Sequence, residues 1–217
     1  MVDAAIFDMD GLMFDTQHIY DEMWGSACKK LGIPLVPGLV EDTRGTIGKN
    51  MYAVIRRYYG SAVDPSKLWD ENKRLTYASL EKSVPKQPGL DDLLTWLGCH
   101  HVPMAVASSS ERDIVRHNIC TAGVERFFSD VVTGDMVKRS KPDPDIFLLA
   151  AQRLGTDPSR TLVLEDSPNG VRAGHAGGFI TVMVPNVARP TTELLKLADG
   201  CCRSLFEVRD LLEEGQI

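Results

Sequence analysis

Residues 4–11 read Ala4-Ala5-Ile6-Phe7-Asp8-Met9-Asp10-Gly11, four apolar residues running without alternation into two aspartates and a glycine. An unbroken apolar run closed by turn chemistry suits a strand covered on both faces of a parallel sheet. Three similar runs follow: Pro103-Met104-Ala105-Val106-Ala107, Thr161-Leu162-Val163-Leu164 and Phe179-Ile180-Thr181-Val182-Met183-Val184, with Asp130-Val131-Val132-Thr133 a weaker fifth. Helical patterns separate them at residues 111–122, 143–154 and 170–176, with Ser110 placed to cap the first and Pro144 near the first turn of the second. Strand and helix in regular succession predict a parallel sheet with right-handed crossovers, a doubly wound, Rossmann-like α/β core.

One segment breaks the rhythm. Residues 16–82 hold no buried strand run, only helical patterns at 19–31, 51–59 and 69–81. The stretch Val84-Pro85-Lys86-Gln87-Pro88-Gly89 then reads as a hinge, because two prolines and a glycine end helices and stiffen a linker. The expected organisation is a catalytic core of residues 1–15 and 83–217, interrupted by a small α-helical domain at 16–82. Residues 194–217 read only as helix-rich, with a small polar turn.

Composition removes several classes. Hydrophobic residues at 43% and charged residues at 25% of 217 are ordinary globular values, against disorder or low complexity. With 24 basic and 30 acidic residues, a formal charge of −6 and no long basic run, nucleic acid is not an expected partner. No stretch approaches the ~18 apolar residues of a spanning helix, so no membrane association is expected. The first ten residues carry three aspartates and no basic residue, unlike a signal peptide. Five cysteines (Cys28, Cys99, Cys120, Cys201 and Cys202) form no C-x-x-C pair, which suits reduced thiols in a cytoplasm. A cytoplasmic monomer is the expectation.

Ligands of open parallel sheets bind beyond the carboxyl ends of the strands, so the residues closing each strand belong together. Strand one closes in Asp8 and Asp10, strand two in Ser108-Ser109-Ser110, and strand four in Glu165-Asp166, while Lys141 lies on the chain between strands three and four. At an effective dielectric near 20, two like charges 4 Å apart cost about 4 kcal/mol. Converging carboxylates therefore either rise in pKa or gather a hard divalent ion, and Mg²⁺ favours such oxygens and bridges to substrate phosphate. Phosphoryl transfer needs that cation, a lysine, hydrogen-bond donors and an in-line nucleophile, a role an aspartate can fill as an acyl phosphate. A second aspartate two residues on can serve as acid and then base.

The run Phe7-Asp8-Met9-Asp10-Gly11-Leu12-Met13-Phe14-Asp15-Thr16 resembles the D-x-D-G-x-x-x-D-T signature of the haloacid dehalogenase superfamily's phosphotransferases. Ser108 resembles the second motif of that family, and Lys141 in Lys141-Pro142-Asp143-Pro144-Asp145-Ile146-Phe147 the third. Glu165-Asp166-Ser167-Pro168-Asn169-Gly170 is similar to the fourth in the β-phosphoglucomutase-like branch, and the Asp8-Met9-Asp10-Gly11-Leu12 and Lys141–Phe147 runs resemble pseudouridine-5′-phosphatase-like enzymes. The resemblance implies a Rossmann-like core with a mobile helical cap whose closure excludes bulk water. It implies Asp8 as nucleophile and Mg²⁺ ligand, and Asp10 as acid/base that lends its backbone carbonyl to the metal. Ser108, Ser109 and Lys141 would hold the phosphoryl group, and Asp166 with Glu165 would complete the metal shell, directly or through water. Ser108 also has the alternative of an N-cap without phosphate contact, and Asn169 that of orienting the metal carboxylates or closing its own turn.

Arg44-Gly45-Thr46-Ile47-Gly48-Lys49-Asn50 lacks the spacing and preceding strand of a P-loop. It reads instead as a cap loop, with Arg44 and Lys49 as substrate-specificity candidates. His100-His101 reads as a solvated turn, and Trp24, Trp69 and Tyr52 as helix packing. The expected activity is a Mg²⁺-dependent phosphatase acting on a small phosphorylated metabolite, a sugar or nucleoside phosphate. A β-phosphoglucomutase is the alternative, although that branch carries histidine four residues after the hinge threonine, where this chain has Tyr20. Asp10 argues against a dehalogenase, and a catalytically silent phosphate-binding or regulatory protein is the reading from another class.

Overall fold

The computed structural model describes residues 2–44 and 48–217. Strand β1 (Ala4–Phe7) is followed by helices α1 (Thr16–Leu31), α2 (Leu39–Thr43), α3 (Gly48–Tyr59) and α4 (Pro65–Leu80). The chain continues through α5 (Leu90–Cys99), β2 (Met104–Ser108), α6 (Arg112–Thr121), β3 (Asp130–Thr133), α7 (Asp145–Leu154) and β4 (Thr161–Glu165). It ends with α8 (Pro168–Ala176), β5 (Ile180–Met183), α9 (Thr192–Leu197), β6 (Gly200–Cys201) and α10 (Leu205–Glu213). Two compact units result, Met1–Asp15 with Val84–Ile217, and Thr16–Ser83.

The first unit is a parallel six-stranded sheet in the order β3-β2-β1-β4-β5-β6. Every residue of β1, β2 and β4 is buried, which is why their apolar residues run on without alternation. Ile6, Ala105, Ala107 and Val163 from the strands pack with Ile146, Phe147 and Ala150 of α7. The order reverses between β1 and β4, the switch point where such sheets bind ligands. Register then matters: Phe7 lies opposite Leu164 on one side and Val106 on the other. The next residue of each strand therefore brings Asp8, Glu165 and Ala107 to one sheet edge, and the Asp8 amide donates to the Leu164 carbonyl at 3.0 Å.

The segment read as a hinge is tied down within this unit. Lys86 forms an antiparallel bridge with Phe14, and the Asp15 and Gln87 amides donate to Pro85 and Met13 at 2.9 and 2.8 Å. The outgoing and returning chains thus pair with one another.

The second unit is helical, built on Trp24, Ala27, Cys28, Leu39, Met51, Ile55 and Leu68. Trp69 stacks on both Trp24 and Tyr20, with centroids 5.8 and 5.7 Å apart. Asp64 caps α4 by accepting from the Ser66 amide at 3.0 Å, with Pro65 in the first turn.

Candidate active site

The loop after β1 is shaped by its own backbone. Gly11 donates to Phe14 at 2.8 Å, and Met13 and Phe14 donate back to Met9 at 3.0 and 3.2 Å. Met9, Leu12, Met13 and Phe14 are all fully buried. These apolar anchors leave the intervening Asp8 and Asp10 to the sheet edge. Gly11 adopts φ +92°, and a Cβ there would meet Asp166 Oδ2 at 2.2 Å, so the tight turn and the acidic group share one requirement.

Lys141 joins the strand ends. Its ammonium donates to Asp8 Oδ1 at 2.5 Å, Glu165 Oε1 at 2.7 Å and the Ala107 carbonyl at 3.2 Å. Asp8, Glu165 and Asp166 each offer a carboxylate oxygen within 4.8 Å of the others. Burial, before any neighbour's charge, pushes the Asp8 carboxyl up to about 8, with Glu165 and Asp10 adding and Lys141 opposing. Burial likewise raises the Asp166 carboxyl well above the usual range, with Glu165 and Asp8 adding to it. Burial works against the Lys141 charge, yet Asp8 and Glu165 hold its pKa above the ordinary lysine value. Three carboxylates against one ammonium leave a deficit of positive charge in a low-dielectric site. An all-oxygen donor set with that deficit fits a hard divalent cation.

Glu165 has further partners. Its Oε2 accepts from the Ser167 amide and hydroxyl at 2.9 and 3.0 Å, and Ser167 accepts from the Gly170 amide at 3.1 Å, capping α8. A Cβ on Gly170 would fall 1.8 Å from the Glu165 carboxyl, so only glycine admits the carboxylate at this helix terminus.

The serine run divides its work. Ser108, 1% exposed, accepts from the Ser110 amide at 3.1 Å and donates to Asp10 Oδ2 at 3.4 Å. Ser109 is exposed at the turn, its carbonyl 2.8 Å from where a Cβ on Gly134 would stand. The expectation that Ser110 caps α6 is corrected: Glu111 holds the N-cap position, and the Ser110 hydroxyl donates to Asp10 Oδ2 at 2.7 Å. The hydroxyl proton goes to a carboxylate, a charge-assisted hydrogen bond.

The first unit thus brings Asp8, Asp10, Ser108, Lys141, Glu165 and Asp166 to one edge, with Ser109 at its rim. Asn169 is exposed. Arg44 lies in the helical unit, paired with Asp21 of α1 at 2.7 Å, and the Lys49 side chain lies outside the described residues. The sequence reading passed over Ser110 as an Asp10 partner and the Ala107 carbonyl as a Lys141 acceptor. The first was signalled only by the serine run, the second not at all.

Residues 5–184 match the family model described as haloacid dehalogenase-like hydrolase. Fructose-1-phosphate phosphatase YqaB of Escherichia coli is 32% identical over 181 residues, 83% of this chain and 95% of that protein. A probable pseudouridine-5′-phosphatase of Drosophila melanogaster is 33% identical over 216 residues, 91% of each. A β-phosphoglucomutase candidate from Thermotoga maritima has a crystal structure that superposes with a TM-score of 0.84 at 25% identity, covering 98% of this chain and 99% of that one.

Proposed function

This chain belongs to the haloacid dehalogenase-like hydrolase family, and on that premise we propose that it is a Mg²⁺-dependent phosphatase working through an aspartyl-phosphate on Asp8. The observation that carries the reading is the Lys141 ammonium set between Asp8 and Glu165, with Asp166 beside them at the switch point of the sheet.

Asp8, Asp166 and the Asp10 backbone carbonyl would hold the metal, and Glu165 would reach it directly or through water. When bound, Mg²⁺ supplies the missing positive charge, keeping the carboxylates ionised and offsetting charge on the phosphoryl oxygens. The Asp8 carboxylate attacks phosphorus as the bond to the ester oxygen breaks, and Asp10 delivers a proton to that oxygen. Asp10 then takes a proton from water, whose oxygen attacks the same phosphorus and releases Asp8 and inorganic phosphate. Lys141 and Ser108 hold the phosphoryl oxygens, and the Ser110 hydroxyl orients Asp10. Glu165 keeps Lys141 in place, and the helical unit serves as the cap of the family.

The relatives' names point to a small phosphomonoester, a sugar or nucleoside phosphate, as substrate. A mutase is the second reading. Against it, Tyr20 stands where the mutase branch has its histidine, and its ring is stacked on Trp69 inside the helical unit. The neighbouring His18 pairs with Glu22 at 3.1 Å. Among the described residues no helix is long and apolar enough to cross a membrane, and the five cysteines are free thiols; a cytoplasmic setting and a monomer are part of the proposal.

A screen of sugar phosphates and nucleotides with and without Mg²⁺ tests the proposal. Metal-dependent release of inorganic phosphate is expected. Conversion of β-glucose 1-phosphate to glucose 6-phosphate without phosphate release would favour the mutase, and undiminished activity in EDTA would remove the metal.

A further inference from the structure

Lys141 has a fourth neighbour that the reaction scheme leaves out. Its ammonium nitrogen lies 4.6 Å from the centroid of the Phe147 ring. Phe147 is fully buried in α7. Phe179 holds that ring edge-on, with centroids 6.1 Å apart and planes at 67°. Phe179 is itself seated over Gly177, where a Cβ would come within 2.5 Å of its ring. The aromatic pair is therefore fixed by packing before any ligand arrives.

The lysine needs such a neighbour. Its three N–H donors are matched by three acceptors, Asp8 Oδ1, Glu165 Oε1 and the Ala107 carbonyl. A phosphoryl oxygen must take one of these donors, so each arrival loosens the hydrogen bonds that locate the ammonium. An aromatic face attracts a cation without accepting a directed proton, and more strongly where water is excluded. The Lys141 side chain is 6% exposed, so little solvent competes.

We propose that Phe147 is a positioning residue, whose ring face keeps the Lys141 ammonium beside Asp8 while phosphoryl oxygens compete for its N–H donors. The kinetic consequence rests on the phosphatase reading; the contact between ring and ammonium does not.

Phenylalanines carrying one, two and three fluorines at position 147 keep the ring's shape while its negative face fades. With p-nitrophenyl phosphate and Mg²⁺, kcat/KM falls stepwise, by about tenfold at the trifluoro form, with a Tm change smaller than that of Phe147→Leu. Phe147→Leu, which keeps an apolar side chain of similar size, loses at least as much. A flat fluorine series, with Phe147→Leu lowering only Tm, would reduce the ring to core filler and overturn the proposal. Proton NMR supplies a readout free of turnover. The Lys141 ε-methylene signals lie upfield in the parent through the ring current and return to ordinary lysine positions in Phe147→Leu. Ordinary positions in the parent would overturn the contact itself. An upfield shift in a parent that hydrolyses no phosphomonoester would break the phosphatase reading, and the kinetic half of this proposal with it.

Discussion

Each unit carries a cluster where cations meet carboxylates, and the two clusters titrate in opposite directions. In the helical unit Glu71 accepts from Arg74 at 2.7 Å and pairs with Lys30 at 2.9 Å. Those hydrogen bonds, Arg74 first and Lys30 second, hold its carboxyl down at about 2. Two cations serve one carboxylate, and both are more than half exposed. In the sheet unit a single ammonium faces Asp8, Glu165 and Asp166, and burial pushes Asp8 up to about 8. The same residue types thus form a self-sufficient cluster on one unit and a cation-deficient one on the other. Buried charge without full compensation costs stability, which marks the sheet edge as a place kept for a ligand rather than for folding.

Breaking the deficient cluster should give the largest effects. Asp8→Asn removes the proposed nucleophile and should lower kcat by about 10⁴-fold or more, the scale of other nucleophile deletions. It should not lower Tm in metal-free buffer, because it relieves repulsion while Lys141 keeps Glu165. Lys141→Met should abolish turnover and, by stranding buried carboxylates, cost about 3–5 kcal/mol in chemical denaturation. Mg²⁺ should stabilise the parent by about 2.7 kcal/mol at a concentration a hundred times its Kd, with EDTA reversing both this and activity.

Two smaller changes sharpen the contrast. Gly170→Ala drives a methyl into the Glu165 carboxyl and should cost about 1–3 kcal/mol as an overpacked site does, with a loss of kcat as Glu165 lets Lys141 shift. Glu71→Gln should leave turnover unchanged and move Tm least. Its effect should also depend on pH in a definite sense. A carboxyl whose folded pKa is depressed stabilises above its unfolded value and loses that contribution as pH falls toward about 2. Parent and Glu71→Gln should therefore differ at pH 7 and converge in acid, as thermal melts across pH would register.

Much of this architecture is legible in the chain because burial on both faces writes itself as unbroken apolar runs. β1 and β3 occupy the residues their runs mark, and β4 extends by one residue to Glu165. β6 has only two residues, Gly200–Cys201, one half-buried and one exposed, so no periodicity announces it. α2, five residues long, is too short for one as well. α8 begins at Pro168 rather than 170, and Ser167-Pro168 is a cap and first-turn signal that hydrophobic spacing passes over. Juxtaposition at the edge follows from strand order, so the acidic residues and Lys141 can be placed from motif positions alone. What each oxygen does cannot. The Ser110 hydroxyl donates to Asp10, a partner 100 residues away in sequence that local spacing does not reveal. The Phe147 ring ends a motif run, yet its contact with Lys141 depends on the turn into α7.

In the proposed reaction Asp8 itself carries the phosphoryl group. Mixing the enzyme with Mg²⁺ and a ³²P-labelled phosphomonoester that it hydrolyses, quenching in acid within milliseconds and digesting tests it directly. Label is expected on the peptide containing Asp8, formed and discharged at rates that support turnover, and none in Asp8→Asn. A parent that turns over with no labelled protein at any time, or with label on another residue, would contradict it.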